Sequence, residues 1–403
     1  MIARLLLCLS ALAASFWASS AQAIPTTDTS SGSVGFVPGH GAIARSADGQ
    51  FALGIRIRGQ MRHTARAPSS GAARQAFEIR RARIVLAGHL FGPESRFKLE
   101  LGLSPADLGV VDNLSADPDE RATRRTPLLD LYFELRHLRD LTVRIGQYKL
   151  PSNRQRVISS GNLQLVDRSI VNPEFTLDRD LAIDLRSRDL FGLDLFRYYL
   201  GVAIARGRDS RGFDDFGMMY FGRVEVLPFG HFADYSEVDF ARTEKLRASF
   251  GAAYAFIDNS IGLRRPSDPA PAEGGTTDNH VVVADMIVKC AGLTLQSELG
   301  WRRGRRNVIT NSQNVTPPRN GWGTMVQLGY LFGAHPIEIA ARYGRVRGAS
   351  GETSLEDRNE LGGGLSWYFY EHPFKLQADV FRLWQTRISD GDLRVRVQLQ
   401  ASL

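Results

Sequence analysis

The chain has 403 residues, 43% of them hydrophobic and 23% charged, with 50 Lys and Arg against 43 Asp and Glu and a formal net charge of +7. That excess suits an anionic partner, but without a basic run or a known motif it is too mild to indicate nucleic acid. No stretch beyond residue 23 is long and apolar enough for a transmembrane helix. A closed β-barrel remains open as a membrane solution, because its strands satisfy one another's backbone hydrogen bonds inside lipid.

Met1–Ala23 carries Arg4, an apolar core from Leu5 to Trp17, and the small residues Ala21 and Ala23 around Gln22. This is the pattern of a cleaved secretory signal, with an apolar run shorter than a spanning helix needs. Cys8 leaves with it. One cysteine then remains, Cys290, at an expected turn, and it cannot form an intramolecular disulfide. Residues 24–50 are rich in Ser, Thr, Gly and Pro and lack periodicity, which predicts a flexible periplasmic lead-in before a single β-domain over 51–403.

The first clear strand is Phe51–His63. Leu53, Ile55 and Ile57 lie on one face, and Arg56, Arg58 and Gln60 on the other, so one side meets lipid or core and the other meets water. The same alternation recurs at 97–101, 129–135, 141–146, 198–204, 246–254, 293–299, 337–343, 361–369 and 374–380. Adding the less regular segments 77–90, 181–185, 220–227, 280–289 and 322–332, and the closing strand 393–403, gives sixteen strands. An even number is what a bacterial barrel with both ends in the periplasm requires.

The connections discriminate further. Long ones (64–76, 104–127, 149–180, 206–217, 257–279, 303–321, 347–358, 384–391) alternate with short ones such as 91–94, 137–139, 290–292 and 371–373. Short periplasmic turns opposite long outer loops mark an outer-membrane barrel, and a soluble sandwich has no reason to alternate so. Pro228–Thr243 departs from the pattern and is expected beneath the barrel without a role. Aromatic residues near segment ends, such as Tyr132, Tyr198, Tyr220 and Trp367, suit the two water–lipid interfaces.

The longest loop, residues 149–180, carries Lys149, Arg154, Arg156, Arg168 and Arg179 and has no hydrophobic face for an independent helical domain. It is expected to fold into the lumen as the constriction, with Arg154, Arg156, Arg168 and Arg179 meeting anions. Cations lining a narrow, partly desolvated passage replace an anion's lost water, and arginine's planar fork matches phosphate at any relevant pH. The basic lumen wall is predicted from Arg56, Arg58, Arg81, Arg83 and Arg144, with Lys98, Arg223, Arg247 and Arg342 as further candidates. The bland alternative is pairing with Glu78, Glu100, Asp130, Glu134, Glu225 or Glu338, which would rigidify the wall and leave little field.

An enzyme has little support, since no Gly-x-Ser-x-Gly elbow, His-Glu-x-x-His or Gly-rich phosphate loop occurs, and the eight histidines are scattered. No cofactor or metal is called for. Asp178 and Asp180 read as partners of nearby arginines rather than paired catalytic acids. The remaining rival is a non-conducting barrel serving as adhesin or anchor, its lumen blocked by long loops.

GQYKLPSNRQR (146–156), SSGNLQLVDRSIVN (159–172) and FTLDRD (175–180) resemble successive blocks of the phosphate-selective porin family, O and P type. FEIRRARI (77–84), FKLEL (97–101) and AARYGRV (340–346) extend the resemblance over almost all of the mature chain. It implies an all-β sixteen-stranded barrel in the outer membrane of a Gram-negative bacterium, forming a homotrimer that passes phosphate or other small anions along an arginine ladder and an inner lysine. The matching blocks put Arg154, Arg156, Arg168, Arg80, Arg81 and Arg83 in that role; no inner lysine aligns. Leu403 departs from the terminal Phe common in such barrels. The register at Arg80 and Arg81 requires a bulge if Phe77 and Ile84 are to share a face.

Overall fold

The computed structural model describes residues 32–109, 125–208, 217–266, 268–308 and 315–403. The expected signal at 1–23 lies outside them, as do parts of the loops near 110–124, 209–216 and 309–314.

Two short strands, β1 (Ser33–Val37) and β2 (Gly41–Arg45), precede sixteen longer ones. These are β3 (Ala52–Ala67), β4 (Arg74–His89), β5 (Ser95–Gly102), β6 (Leu128–Leu138), β7 (Leu141–Lys149), β8 (Arg179–Ser187), β9 (Phe196–Ala203) and β10 (Met219–Val226). β11 (Arg247–Ser260), β12 (Thr276–Cys290), β13 (Leu293–Asn307), β14 (Gly321–Leu331), β15 (Ile337–Gly348), β16 (Arg358–Tyr370), β17 (Phe374–Trp384) and β18 (Asp392–Ser402) follow. From β3 to β18 each strand pairs antiparallel with its sequence neighbours. The sheet closes when β18 returns to β3, with Leu393 opposite Ala67 and Ser402 opposite Arg58.

Closure explains the first departure from the sequence reading. β18 ends at the level of Arg58, so the lower part of β3 would present unpaired backbone groups. β2 covers them, running from Ala42 opposite Ile55 to Arg45 opposite Ala52, and β1 completes a hairpin with β2. The segment read as an aperiodic lead-in therefore contains a hairpin. Its five-residue strands are too short to show a period.

The barrel is apolar outside and polar within. Leu299, Leu361 and Leu365 face outward with nearly half their surface exposed, whereas inward Gln296, Gln327 and Gln398 are fully buried. That inversion of a soluble core belongs to a wall that meets lipid. Aromatic contacts mark both rims: Trp367, Phe369 and Phe374 pack together at the short-turn end, and Tyr254 lies against His280 on the other side.

β4 contains the bulge that its sequence demanded. Gln60 sits opposite Arg81 and Met61 opposite Ile79, leaving Arg80 as the extra residue. Phe77 and Ile79 above the bulge and Ile84 below it then all face lipid, while Arg81 and Arg83 point inward.

The turn between β10 and β11 is not a bystander beneath the barrel. Asp234, Glu237, Val238 and Asp239 are buried. Lys289 on β12 donates to the Ala233 and Val238 carbonyls, both at 2.8 Å. Val238 and Phe240 pack against Leu331 and Tyr368, so the turn rises into the short-turn end of the lumen.

Candidate constriction site

The β7–β8 connection, residues 150–178, contains two short helices, α1 (Arg154–Val157) and α2 (Val171–Phe175). Outside them its backbone polar groups need partners, and the inner wall supplies them. Lys375 Nζ and Gln377 Nε2 on β17 donate to the Leu163 carbonyl at 2.7 and 3.2 Å, and Gln400 on β18 to that of Gly161 at 3.1 Å. Arg342 on β15 donates to the Asp167 and Arg168 carbonyls at 2.9 and 3.1 Å. Further hydrogen bonds reach β3, β4, β10, β11, β12, β13, β14 and β16, so the segment lies inside the barrel against most of its wall.

Three apolar contacts seat the segment. Leu150 and Leu177 pack with Phe221, Ile257, Val281 and Val283; Val171 and Phe175 with Met325 and Val346; and Leu165 with Ala340 and Phe381. Phe175 needs glycine beneath it, because a Cβ at Gly300 or Gly323 would come within 2.5 or 2.7 Å of its ring. The periplasmic turn locks the other end. Glu237 accepts from the Gln164 N–H and Gln327 Nε2, both at 2.9 Å, and its own N–H donates to the Asn162 carbonyl.

The expected constriction arginines separate into different environments. Arg154 is fully buried and ties α1 down: Nε donates to Asp285 at 2.9 Å, Nη1 to Asp234 at 2.8 Å and Nη2 to Ser249 at 2.8 Å. Its predicted place facing the passage is therefore corrected to a tether, because a guanidinium this deep requires carboxylates around it. Arg156 pairs with Asp178. Among the described residues Arg168 has no carboxylate hydrogen-bond partner, and it donates to the carbonyls of Gln155 at 2.7 Å and Ile158 at 2.6 Å. Burial, then the nearby Arg156 and Arg81, holds its guanidinium well below the usual range. Burial would raise the Asp178 carboxyl, yet Arg156, Arg179 and Arg265 keep it below its ordinary value. Arg179, read as a loop residue, opens β8; its Nε donates to Asp130 at 2.6 Å, while its buried Nη2 has no hydrogen-bond partner among the described residues.

The wall residues divide likewise. Asp167 gathers Arg62 at 3.0 Å, Arg81 at 3.2 Å and Arg80 at 3.8 Å. Arg83 reaches Glu100 at 2.8 Å and Asp107 at 2.9 Å. Lys98 bridges Glu100 and Asp130, and Arg144 pairs with Glu134 below the Tyr132 ring. Arg58 is held beneath the loop by Ser159 and Ser160, and Arg56 lies half-buried on the same face nearer the periplasm. Arg223 and Arg342 are buried ion-paired residues, whereas Arg247 donates to the Phe229 carbonyl at the rim.

A cavity of about 130 Å³ lies between the loop and the β4–β8 wall. β4 contributes Arg80, Arg81 and Arg83; the loop and its strand ends contribute Lys149, Arg156, Arg168 and Arg179. Arg125, Arg208 and Arg265 close it from neighbouring outer loops. Ten cations thus face two carboxylates, Asp107 and Asp178. The last three arginines escaped the sequence reading, since loops have no periodicity to aim a side chain. Their only signal was arginine density, at Arg206–Arg208 and Arg264–Arg265.

A closed antiparallel barrel with a lipid-facing exterior and a polar interior is the architecture of the porin class. A family model described as phosphate-selective porin O and P matches residues 51–388, and the chain belongs to that family. It is an outer-membrane porin, a passive channel rather than an enzyme.

Solved structures share the fold at low identity. The anion-selective porin from Comamonas acidovorans superposes with a TM-score of 0.55 at 13% identity, over 87% of this chain and all of the other. A loop L8 deletion mutant of OmpT, an outer membrane protein of Vibrio cholerae, gives 0.53 at 10%, covering 87% and 99%. Salmonella typhi OmpF, in complex with daunomycin, gives 0.53 at 11%, covering 88% and 98%. No curated protein matches the chain.

Proposed function

We propose that this porin is selective for anions, phosphate among them, and that the selecting region is the basic cavity between the β7–β8 loop and the β4–β8 wall. The observation that carries this reading is the imbalance there, ten cations against two carboxylates, together with the orphaned Arg179 Nη2. A buried donor without a partner costs about 1–3 kcal/mol, which an oxyanion accepting from it would offset. Arg156, Arg168 and Arg179, with Arg81 and Arg83 opposite, form the contact set; Arg154 supports them from behind. Fixed cations in a low-dielectric passage raise the local anion concentration and repel cations. We further propose a homotrimer, by analogy with trimeric porins such as one form of OmpT from Vibrio cholerae.

The test is the reversal potential of the purified protein in a planar bilayer under a potassium chloride gradient, followed by addition of phosphate. An anion-selective sign with chloride current blocked by phosphate is expected. A cation-selective pore would overturn the assignment of the cavity, and a barrel with no conductance would favour the anchor or adhesin reading.

A further inference from the structure

The outer surface of β13–β15 holds a second basic cluster, facing away from the lumen. Along β13 the outward residues run Leu293, Leu295, Ser297, Leu299 and Trp301, followed by Arg303 and Arg305. Trp301 sits directly opposite Trp322 on β14, Trp322 opposite Arg347 on β15, and Thr324 opposite Arg345. The Arg345 guanidinium lies 5.9 Å from the Trp322 ring centroid, and its buried Nε has no hydrogen-bond partner among the described residues. Among the described residues Arg303 has no carboxylate within salt-bridge distance and is exposed.

The depth of this cluster follows from strand length. β13 has fifteen residues, whereas about 9–11 suffice to cross the hydrocarbon. The short-turn end begins at Leu293, so Trp301 falls at the outer interface and Arg303 stands just above it. Two flanking arginines are partly compensated. Arg347 pairs with Asp357 at 3.3 Å, and Arg305 lies across from Asp278, whose oxygens are already taken by the Asn259 N–H and Asn307 Nδ2.

We propose that Arg303 and Arg345, set about the Trp301–Trp322 pair, bind the phosphate of an outer-leaflet glycolipid headgroup. The guanidinium forks meet the phosphate while the indoles cover the adjoining sugar and acyl surface. Among the described residues no carboxylate lies within salt-bridge distance of Arg303 or Arg345, and the cluster is separate from the lumen cations argued to select the permeating ion.

The experiment is native mass spectrometry of the purified porin in a zwitterionic detergent, titrated with bis-phosphorylated lipid A, its dephosphorylated form, or inorganic phosphate as competitor. The comparison is with Arg303→Gln/Arg345→Gln, checked for folding by its heat-modifiable migration, and with the double lysine variant. Saturable lipid A adducts are expected on the unmodified porin, weakened on the order of ten- to hundredfold by the glutamines and partly restored by lysine. Single-channel conductance and ion selectivity should not change, so this result is independent of the lumen reading. Equal adducts on porin and glutamine variant would overturn the proposal, as would equal binding of dephosphorylated lipid or displacement of lipid A by equimolar phosphate. A variant that loses its oligomeric state but keeps its lipid adducts would instead assign this face to a second copy of the chain, and would also overturn it.

Discussion

On the β10–β18 side of the lumen, Arg154, Arg223, Arg342 and Arg396 are buried, each with a carboxylate at 2.7–2.9 Å. On the β4–β8 side, ten cations surround a cavity into which two carboxylates project. Both sectors are rich in the same residue, but in the second several carboxylates that pair with the cations, Asp130, Asp167 and Glu100 among them, lie behind the cavity lining rather than in it. The difference is what covers the wall. Where the loop and the periplasmic turn press against the strands, a guanidinium loses its water and must be paired. Where they stand away, repulsion between neighbouring cations can persist because an anion can enter to relieve it.

The comparison breaks most sharply at Arg154. Arg154→Ala leaves Asp285 and Asp234 deprived of that partner in the buried sector, and a loss of about 3–5 kcal/mol is expected. It would be read as a lower temperature at which the folded band converts on an unboiled gel. An unaltered transition would mean that Arg154 does not tether the loop.

A smaller and different effect is expected across the lumen. Arg168→Gln should leave the barrel folded but weaken phosphate block of the chloride current by roughly ten- to hundredfold, the worth of about 1.5–3 kcal/mol for a charged hydrogen bond. Arg342→Gln, in the paired sector, should lower stability and leave the block nearly intact. If both variants lost phosphate block equally, the two sectors would not differ in the way their pairing suggests.

Gly300→Val tests the seat of the loop rather than its charges. The added side chain would meet Phe175, with an overpacking cost of about 1–3 kcal/mol. A wider, noisier channel of unchanged ion preference is expected in single-channel records. The mildest change is Glu237→Gln in the periplasmic turn, which weakens the hold on Gln164 by about 0.5–1.5 kcal/mol. It should add brief conductance fluctuations, and a silent trace would show that the turn is not needed to still the loop.

Some of the candidate site was legible before the fold was known. Arg81 and Arg83 could be aimed inward because their strand alternates, and the bulge at Arg80 was demanded by Phe77 and Ile84 needing the same face. The run Val281–Val283 held a signal that was passed over. It is apolar on both faces, and the inward Val281 and Val283 pack against the roots of the loop. The turn at 228–243 offered no such clue, since its acidic residues look like any solvated loop until Lys289 and Gln327 are seen to reach them.

The sequence by itself determined the sixteen long strands, most of their inside and outside faces, and the location of the arginine-rich loop. Period-two alternation encodes the strands and their faces, because it is local and each side chain's face follows from its neighbour's. Only the tertiary structure decided that Arg154 is a buried tether, that Arg179 keeps a donor without a partner among the described residues, and that Arg125, Arg208 and Arg265 join the same cavity. Those outcomes depend on which distant carboxylate lies within a few ångströms, a relation that closing the barrel creates and that spacing along the chain does not contain.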